Sequence, residues 1–151
     1  MSVQITDPAT IISTYTRGDY TISTDPALLD IEVVYGFLER SYWANTRPRP
    51  ITDLSLRHSL NFGIYRGDIQ VGLARIITDY ATFAYLCDVF IDEEHRGDSL
   101  GKWLIDTVLN EPALQNVRRF MLATRDAHGL YAQFGFTAPT KPENWMERTL
   151  T

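Results

Sequence analysis

The turn at residues 96–102 (RGDSLGK) is the part of this chain best suited to bind an anion. Gly97 and Gly101 lack a side chain, so the backbone there can approach a ligand closely and adopt left-handed conformations. A helix pattern follows, and the first backbone amides of a helix point outward, unpaired, at the positive end of its dipole. A phosphate or pyrophosphate fits such amides. A strand-to-helix turn with no ligand explains the same residues equally well.

Asp88 stands inside an apolar, strand-like run, where a carboxylate is rare unless it is paired. Burial raises the pKa of a carboxyl group, which suits a general base that removes a proton from an amine. The same side chain could instead bind a cationic substrate, or form a structural ion pair with Arg75 on the neighbouring strand. The residues alone leave these interpretations open.

Contacts to a substrate are expected from the connector after the first helix and from one turn between strands. Trp43 is a candidate in the connector, and Asp79 and Tyr80 are candidates at the turn. A packed aromatic residue and an ordinary turn would also explain these three residues. The pair Arg47 and Arg49 would favour an acceptor that carries a carboxylate.

The elements that must position these residues are predicted from the period of the apolar residues. Tight connections join the three central strand patterns, so we expect them to form an antiparallel meander. The predicted strands cover residues 20–24, 60–65, 69–78, 82–91 and 117–124, with a final strand or pair from residue 136 onward.

Helical spacing predicts four helices between these strands. Asp25 with Pro26 should begin the first, and Thr52 or Asp53 should cap the second. The prolines in residues 45–50 are expected to exclude regular structure there. The helices are predicted to cover residues 25–40, 52–59, 100 to just before 112, and 127–134, the last capped by Asp126. The order predicts a mixed α/β fold, antiparallel first and parallel around the last crossover.

Composition describes a globular chain with the size of one domain. Of its 151 residues, 44% are hydrophobic and 22% charged, so a single domain over residues 1–151 is expected. Lys and Arg total 14 against 19 Asp and Glu, and the net charge of −5 gives no global electrostatic case for nucleic acid or an anionic membrane. No basic leader with an apolar run begins the chain, so we expect a cytoplasmic protein.

The sequence also argues against metal and disulfide chemistry. Cys87 is the single cysteine, so it has no partner for an internal disulfide or a cysteine-based zinc site. The three histidines lack the i, i+4 spacing of a helical metal site. No metal is therefore expected.

Residues 97–101 (GDSLG) formally match G-x-S-x-G, the nucleophile elbow of α/β-hydrolases. An elbow follows its strand directly, whereas the charged residues 92–96 intervene here. The only later histidine, His128, lies too close in sequence to Asp126 for the usual triad arrangement. A serine hydrolase using Ser99 is therefore the weaker alternative.

Two segments carry a resemblance to a known family. Residues 96–101 (RGDSLG) resemble the pyrophosphate-loop signature Q/R-x-x-G-x-G/A of the GCN5-related N-acetyltransferase (GNAT) family. Residues 131–136 (YAQFGF) resemble its second signature, Y-x-x-x-G-F, with Ala127 at the position where alanine is usual. The resemblance covers roughly residues 20–148. It implies a GNAT-like mixed sheet, with antiparallel N-terminal strands and a parallel pair at the cofactor cleft, flanked by helices.

The resemblance implies transfer of an acetyl group from acetyl-CoA to an amine of a small molecule or a protein, by direct attack. Tyr131 matches the general acid that protonates the leaving thiolate, and Asp88 is the candidate base. The pantetheine arm would pair with the strand that ends at residue 91, and the pyrophosphate would lie on the turn. The implied cofactor-binding residues are Val89, Phe90, Ile91, Arg96, Gly97, Asp98, Ser99, Leu100, Gly101 and Lys102.

Two positions depart from the loop signature. Ser99 replaces a usual glycine, and Asp98 stands where a basic residue is common. An acid beside a pyrophosphate weakens binding unless its side chain turns away. These departures motivate the main alternative, a non-catalytic acyl-CoA-binding or regulatory module. A homodimer through an exposed strand near the C-terminus is a further hypothesis.

Overall fold

A six-stranded sheet forms the centre of the computed structural model, which describes residues 6–150. The strands are Thr14–Arg17 (β1), Tyr20–Ser23 (β2), Leu60–Arg66 (β3), Ile69–Thr78 (β4), Phe83–Ile91 (β5) and Arg119–Leu122 (β6). They lie in the order β1-β2-β3-β4-β5-β6, antiparallel except for the parallel pair β5 and β6. This sheet confirms the predicted mixed α/β fold, including the β3–β4–β5 meander.

Strand β1 has no counterpart in the sequence prediction. Three of its four residues are exposed, so the apolar alternation that marks a strand is weak there. Tertiary contacts hold it instead. The buried carboxylate of Glu111 accepts hydrogen bonds from the hydroxyls of Tyr15 at 2.5 Å and Ser13 at 2.7 Å.

The first predicted helix is divided into two pieces. The side chain of Asp25 accepts from the amide of Ala27 and begins a short 3-10 helix, Pro26–Leu28. The α-helix itself, Ile31–Glu39 (α1), begins at a second cap, where Asp30 accepts from the amides of the first turn. Asp30 is a second good N-cap residue, so the α-helix begins there and not at Asp25.

The second helix begins earlier than predicted, at Arg49, and spans Arg49–Arg57 (α2). Pro50 lies in its first turn, where the missing N–H would have had no intrahelical partner. The expectation that residues 45–50 are entirely irregular is therefore wrong for the last two. The predicted cap is also wrong, because Thr52 lies inside the helix with its side chain buried.

The C-terminal part differs most from the prediction. The third helix, Leu100–Leu109 (α3), ends before Pro112 as expected, but the fourth covers only His128–Ala132 (α4). Its N-terminus is stabilised by Thr124 rather than Asp126, because the Thr124 hydroxyl accepts from the amide of Ala127 at 3.0 Å. Between residue 123 and residue 150 the structure contains no strand, so the predicted final strand is wrong.

Separate hydrophobic clusters cover the two faces of the sheet. Leu104, Ile105 and Val108 of α3 pack on one face in the same cluster as Ala74. Helices α1 and α2 pack on the other face, in a cluster that includes Leu73. Because successive residues of a strand point to opposite faces, Leu73 and Ala74 assign the two clusters to the two sides of β4.

Candidate active site

The first half of β5 pairs with β6 and the second half does not. Their register runs from Phe83 opposite Arg119 to Leu86 opposite Leu122, where β6 ends. Among residues 6–150, no strand pairs with the edge of β5 that faces β6 beyond Leu86. Backbone groups of residues 87–91 on this edge therefore have no strand partner, although the Ile91 carbonyl oxygen accepts from Arg96 Nε. An extended ligand could use the remaining groups.

A β-bulge in β5 accompanies this divergence. Leu73 of β4 is opposite Phe90 and Arg75 is opposite Cys87, so Asp88 and Val89 together occupy the place of one residue. Asp88 has a φ of 48°, in the left-handed region. A bulge bends its strand and increases the local twist, which turns the second half of β5 away from β6.

The side chains of the three predicted pantetheine-contacting residues differ in environment. Phe90 is buried and its ring stacks on Phe37 of α1, with the ring centroids 4.1 Å apart. Ile91 is also buried, and Val89 is half-buried. The ring of Phe90 is thus already occupied by its packing against α1.

The turn at residues 96–102 leads from the gap into α3. Gly97 has a φ of 105° and Ser99 a φ of 58°, and Ser99 is the residue before the helix. The buried side chain of Leu100 fixes the start of α3 in the core. Among the described residues, the backbone amides from Gly97 to Lys102 have no hydrogen-bond partner, whereas that of Trp103 donates to Ser99. These free amides lie at the N-terminus of a helix, where the helix dipole also favours a bound anion.

Arg17, on the distant β1, holds the turn in place and was not predicted as a site residue. Its guanidinium donates to the carbonyl oxygen of Asp98 at 2.6 Å and lies 4.9 Å from the ring centroid of Trp103. Arg96 holds the other end by donating from Nε to the carbonyl oxygen of Ile91 at 3.1 Å. Arg17 thus adds positive charge beside Asp98, at a contact that spans 81 positions in sequence and has no local signal.

Asp88 is the centre of a polar cluster on the α1–α2 face of the sheet. Its carboxylate accepts from Trp43 Nε1 at 2.9 Å, from both terminal nitrogens of Arg47 at 2.8 and 3.2 Å, and from Arg75 Nε at 2.8 Å. Arg75 also donates to the Ser59 hydroxyl at 3.1 Å. Of the interpretations that the sequence left open, the ion pair of Asp88 with Arg75 is present, and Trp43 is brought to the same carboxylate.

These contacts govern the pKa of Asp88. Burial by itself would raise that pKa, but the hydrogen bond from Arg47 and the charges of Arg75 and Arg47 outweigh burial and lower it. A carboxylate with a lowered pKa and four donors already bonded has little tendency to accept a proton. This environment argues for a positioning role and against a general base.

Tyr131 lies on α4, largely buried, with its ring edge-on to Phe136. Burial, and to a smaller extent the neighbouring Tyr42, raises the pKa of Tyr131 to about 12. The Tyr42 hydroxyl in turn accepts from the backbone amide of Arg125, beyond β6, at 3.1 Å. Because Trp43 is bonded to β5, the connector at residues 42–43 spans the gap between β5 and β6 beside Tyr131.

Asp79 and Tyr80 are not brought to this cluster. They lie at the β4–β5 connection, the opposite end of β5 from the turn at residues 96–102. The Asp79 carboxylate accepts from Thr82 and from backbone amides of its own turn, and these hydrogen bonds lower its pKa. Tyr80 packs against the cluster on the α3 face. Arg49 is likewise absent from the cluster, because it pairs with Glu32 instead.

Ser99 is exposed, and its hydroxyl forms no hydrogen bond with a histidine of residues 6–150. The geometry therefore gives a serine hydrolase no support. Within the described chain, no group of three or more His, Cys, Asp or Glu side chains could hold a metal ion. Within that same range, no helix is both long and apolar enough to cross a membrane.

Comparison with known proteins identifies the family. The model of the acetyltransferase (GNAT) family matches residues 26–136. The chain belongs to the GNAT family. A Gibberella zeae protein named "Putative acetyltransferase FG08082" is 38% identical over 154 residues, which cover 87% of this chain and 84% of that protein.

Solved structures of similar proteins share the architecture. A GNAT-family crystal structure from Xanthomonas campestris is 48% identical, covers 87% of this chain and 93% of its own, and has a TM-score of 0.84. A crystal structure from Clostridium acetobutylicum, described as that of a "predicted acetyltransferase with acetyl-CoA", is 15% identical, covers 86% of this chain and 94% of its own, and has a TM-score of 0.62. The second similarity concerns the fold alone.

Proposed function

We propose that this GNAT protein transfers an acetyl group from acetyl-CoA to an amine. One observation carries the proposal: the free amides of residues 97–102 stand at the end of β5, directly after the half of that strand that lacks a partner. A ligand with a pyrophosphate and an amide-containing arm matches both features at once. The fold neighbour from Clostridium acetobutylicum, described with acetyl-CoA, has the same architecture.

The residues present fit such a cofactor. Gly97 and Gly101 carry no side chain that would cover the amides, and a Cβ built at Gly97 would meet nothing within 4 Å. Arg17, Arg96 and Lys102 bring positive charge to the same turn. The backbone of Val89 and Ile91 would pair with the amides of the pantetheine arm. When bound, acetyl-CoA would supply an electrophilic thioester carbonyl, which a neutral amine can attack with loss of the thiolate.

The chain itself would supply orientation and a proton. At neutral pH the Tyr131 hydroxyl stays protonated, because its pKa is raised to about 12. Tyr131 Oη would donate this proton to the sulfur as the carbon–sulfur bond breaks and the carbon–nitrogen bond forms. The proton lost from the nitrogen would pass to water. Asp88 would hold Trp43 and Arg47 at the gap.

The test combines calorimetric titration of acetyl-CoA with an assay of thiol release over a panel of amines. We expect binding, and release above background for at least one amine. Binding with no release for any amine would favour the acyl-CoA-binding module, which the loop departures at Asp98 and Ser99 motivate. No binding at all would overturn the proposal.

Ser99→Gly provides a control for the hydrolase alternative. Glycine suits the left-handed φ of 58° at this position, so the variant should keep its fold and its acetyl transfer. A fluorophosphonate probe should leave the protein unlabelled. Labelling that disappears in Ser99→Gly would revive the hydrolase.

A further inference from the structure

The cluster around Asp88 holds more positive than negative charge. Two guanidinium groups, those of Arg47 and Arg75, share this one carboxylate. Their side chains are 22% and 9% exposed, and that of Asp88 is 2% exposed. Within residues 6–150 no second carboxylate lies within 4.0 Å of either arginine. A largely buried cation without a counter-charge is unfavourable, so a further anion would be stabilised here.

Both arginines also retain hydrogen-bond donors. Each guanidinium carries five N–H groups. Among the described residues, Nε of Arg47 and Nη2 of Arg75 donate to no acceptor. Neither nitrogen belongs to the buried side-chain atoms that lack a partner, so both keep some contact with solvent. An anionic ligand that reaches this cluster could therefore accept hydrogen bonds from them.

The rim of the gap adds to this charge. The guanidinium of Arg125 lies 3.8 Å from the ring centroid of Tyr42, whose ring is edge-on to that of Trp43. Arg125 forms no ion pair with the exposed Asp126 or with any other carboxylate of the described chain. The cleft is thus locally positive in a protein whose net charge is −5.

The neighbouring titratable groups do not cancel this charge. Burial raises the pKa of the Cys87 thiol to about 11, so the thiol is neutral at pH 7. Burial likewise raises the pKa of Tyr85. Within residues 6–150, Asp88 is the one carboxylate that Arg47 and Arg75 contact.

We propose that Arg47 and Arg75, with Arg125 at the rim, bind a carboxylate of the acceptor, so that the substrates are amines that also carry a carboxylate. This inference rests on the proposed function, because it describes the acceptor of that same site. It replaces the pair Arg47 and Arg49 expected from the sequence. A guanidinium matches a carboxylate better than any other side chain does.

Binding tests the inference without turnover. Isothermal titration would compare N-acetyl derivatives of ω-amino acids, from glycine to 5-aminopentanoate, with the matching N-acetyl carboxamides, in the absence of coenzyme A. These pairs have no amine, so they differ in the carboxylate alone. We expect at least one acid to bind about tenfold or more tightly than its amide, as charge-assisted hydrogen bonds suggest.

Variants assign the effect to the cluster. Arg47→Gln should remove most of the preference for the acid, and Arg47→Lys, which keeps the charge, should retain part of it. Arg118→Gln is the matched control, since Arg118 is exposed and forms no ion pair among the described residues. Circular dichroism would establish that each variant is folded.

The two proposals fail in different ways. Equal binding of every acid and amide by the wild type would overturn the carboxylate site, even if amines are acetylated. The same holds if the preference survives unchanged in Arg47→Gln and Arg125→Gln together. Preference for the acids with no thiol release from any amine would contradict the proposed acetyl transfer and leave the carboxylate site standing.

Discussion

At the scale of single residues, Asp88 illustrates how a carboxylate can serve a site without exchanging protons. Trp43, Arg47 and Arg75 fill its acceptor positions. We interpret Asp88 as a positioning residue because these donors lower its pKa and fix the connector at the gap.

Asp88→Asn tests this interpretation. Removing the charge leaves Arg47 and Arg75 without a counter-charge, so the free energy of unfolding should fall by about 3–5 kcal/mol at pH 7. A lowered folded pKa stabilises the protein above the ordinary value near 3.8, and this contribution is lost as pH falls through the folded pKa. Urea unfolding should therefore show that the difference in free energy of unfolding between wild type and variant shrinks as the pH falls.

Kinetics separate positioning from base catalysis at the same residue. If the variant is too unstable, Trp43→Phe removes a single hydrogen bond at a cost of about 1 kcal/mol. The pH profile of residual kcat/KM should keep its shape in either variant. If the acidic limb of the kcat/KM profile disappears in Asp88→Asn but not in Trp43→Phe, Asp88 acts as a base. Asp68→Asn, at the exposed β3–β4 turn, is the control.

Tyr131→Phe tests the proton donor. We expect kcat to fall by about 10²–10⁴-fold, the usual contribution of a general acid. The affinity for acetyl-CoA should change little, because the hydroxyl is assigned to proton transfer rather than to binding. Tyr80→Phe, at the far end of β5, should leave both quantities unchanged. Equal kcat in Tyr131→Phe and the wild type would defeat the assignment.

At the scale of elements, the turn before α3 was predictable because its signal is local. The glycines, the helical period that follows them and the charged connector are neighbours in sequence. Helix α3 begins where this pattern predicts it. The boundaries of α1 and α2 were less predictable. Competing caps at Asp25 and Asp30, and a proline tolerated in a first turn, depend on small local differences that period alone does not resolve.

Gly97→Ala tests the turn against a matched glycine. Gly97 and Gly67 both have a left-handed φ, 105° and 59°, and a Cβ at either would meet nothing within 4 Å. Alanine at either position should thus destabilise the fold by about 1 kcal/mol through backbone strain. Only Gly97→Ala should also weaken acetyl-CoA binding, by about tenfold or more, because it shifts the free amides. Equal affinity in both variants, measured by calorimetry, would place the pyrophosphate elsewhere.

At the scale of the whole molecule, stability in alkali depends on buried phenols. Burial raises the pKa of Tyr65 and of Tyr131 to about 12. Because the unfolded chain ionises first, this stabilisation is complete below about pH 10 and is lost as pH rises through 12. The urea concentration at the midpoint of unfolding should therefore decrease as the pH is raised from 9 to 12.

Tyr65→Phe separates one phenol from the other. The Tyr65 hydroxyl is buried without a hydrogen-bond partner in the described chain. Its removal should therefore leave stability at pH 7 unchanged or raise it by about 1 kcal/mol, and should reduce the alkaline loss. A clear loss of stability at pH 7 would reveal a partner for this hydroxyl.

The homodimer stays a prediction, and the surface at which it could form now lies at β6 and the C-terminal segment. Residues 137–150 are all exposed, including Met146 at 97% and Leu150 at 87%. Beside them, a groove of about 1180 Å³ runs along β6 and α4. The outer edge of β6 has no strand partner among the described residues, so a second copy could pair there.

Light scattering tests the dimer directly. We expect a mass of twice the 17.3 kDa of one chain, and a shift toward the monomer in Met146→Lys. Ile69→Lys is the control, since Ile69 is also exposed, at 66%, but lies on the β3–β4 hairpin. A single-chain mass at every concentration would contradict the prediction.

The sequence by itself determined the meander, the glycine-containing turn at residues 96–102 and α3, because period and turn chemistry act between residues that are close along the chain. Only the tertiary structure decided what surrounds Asp88, since its partners Arg75, Arg47 and Trp43 lie 13, 41 and 45 positions away. The same holds for Arg17 at the turn and for the point where β6 leaves β5. Such contacts depend on how layers pack, and no local pattern of residues encodes that.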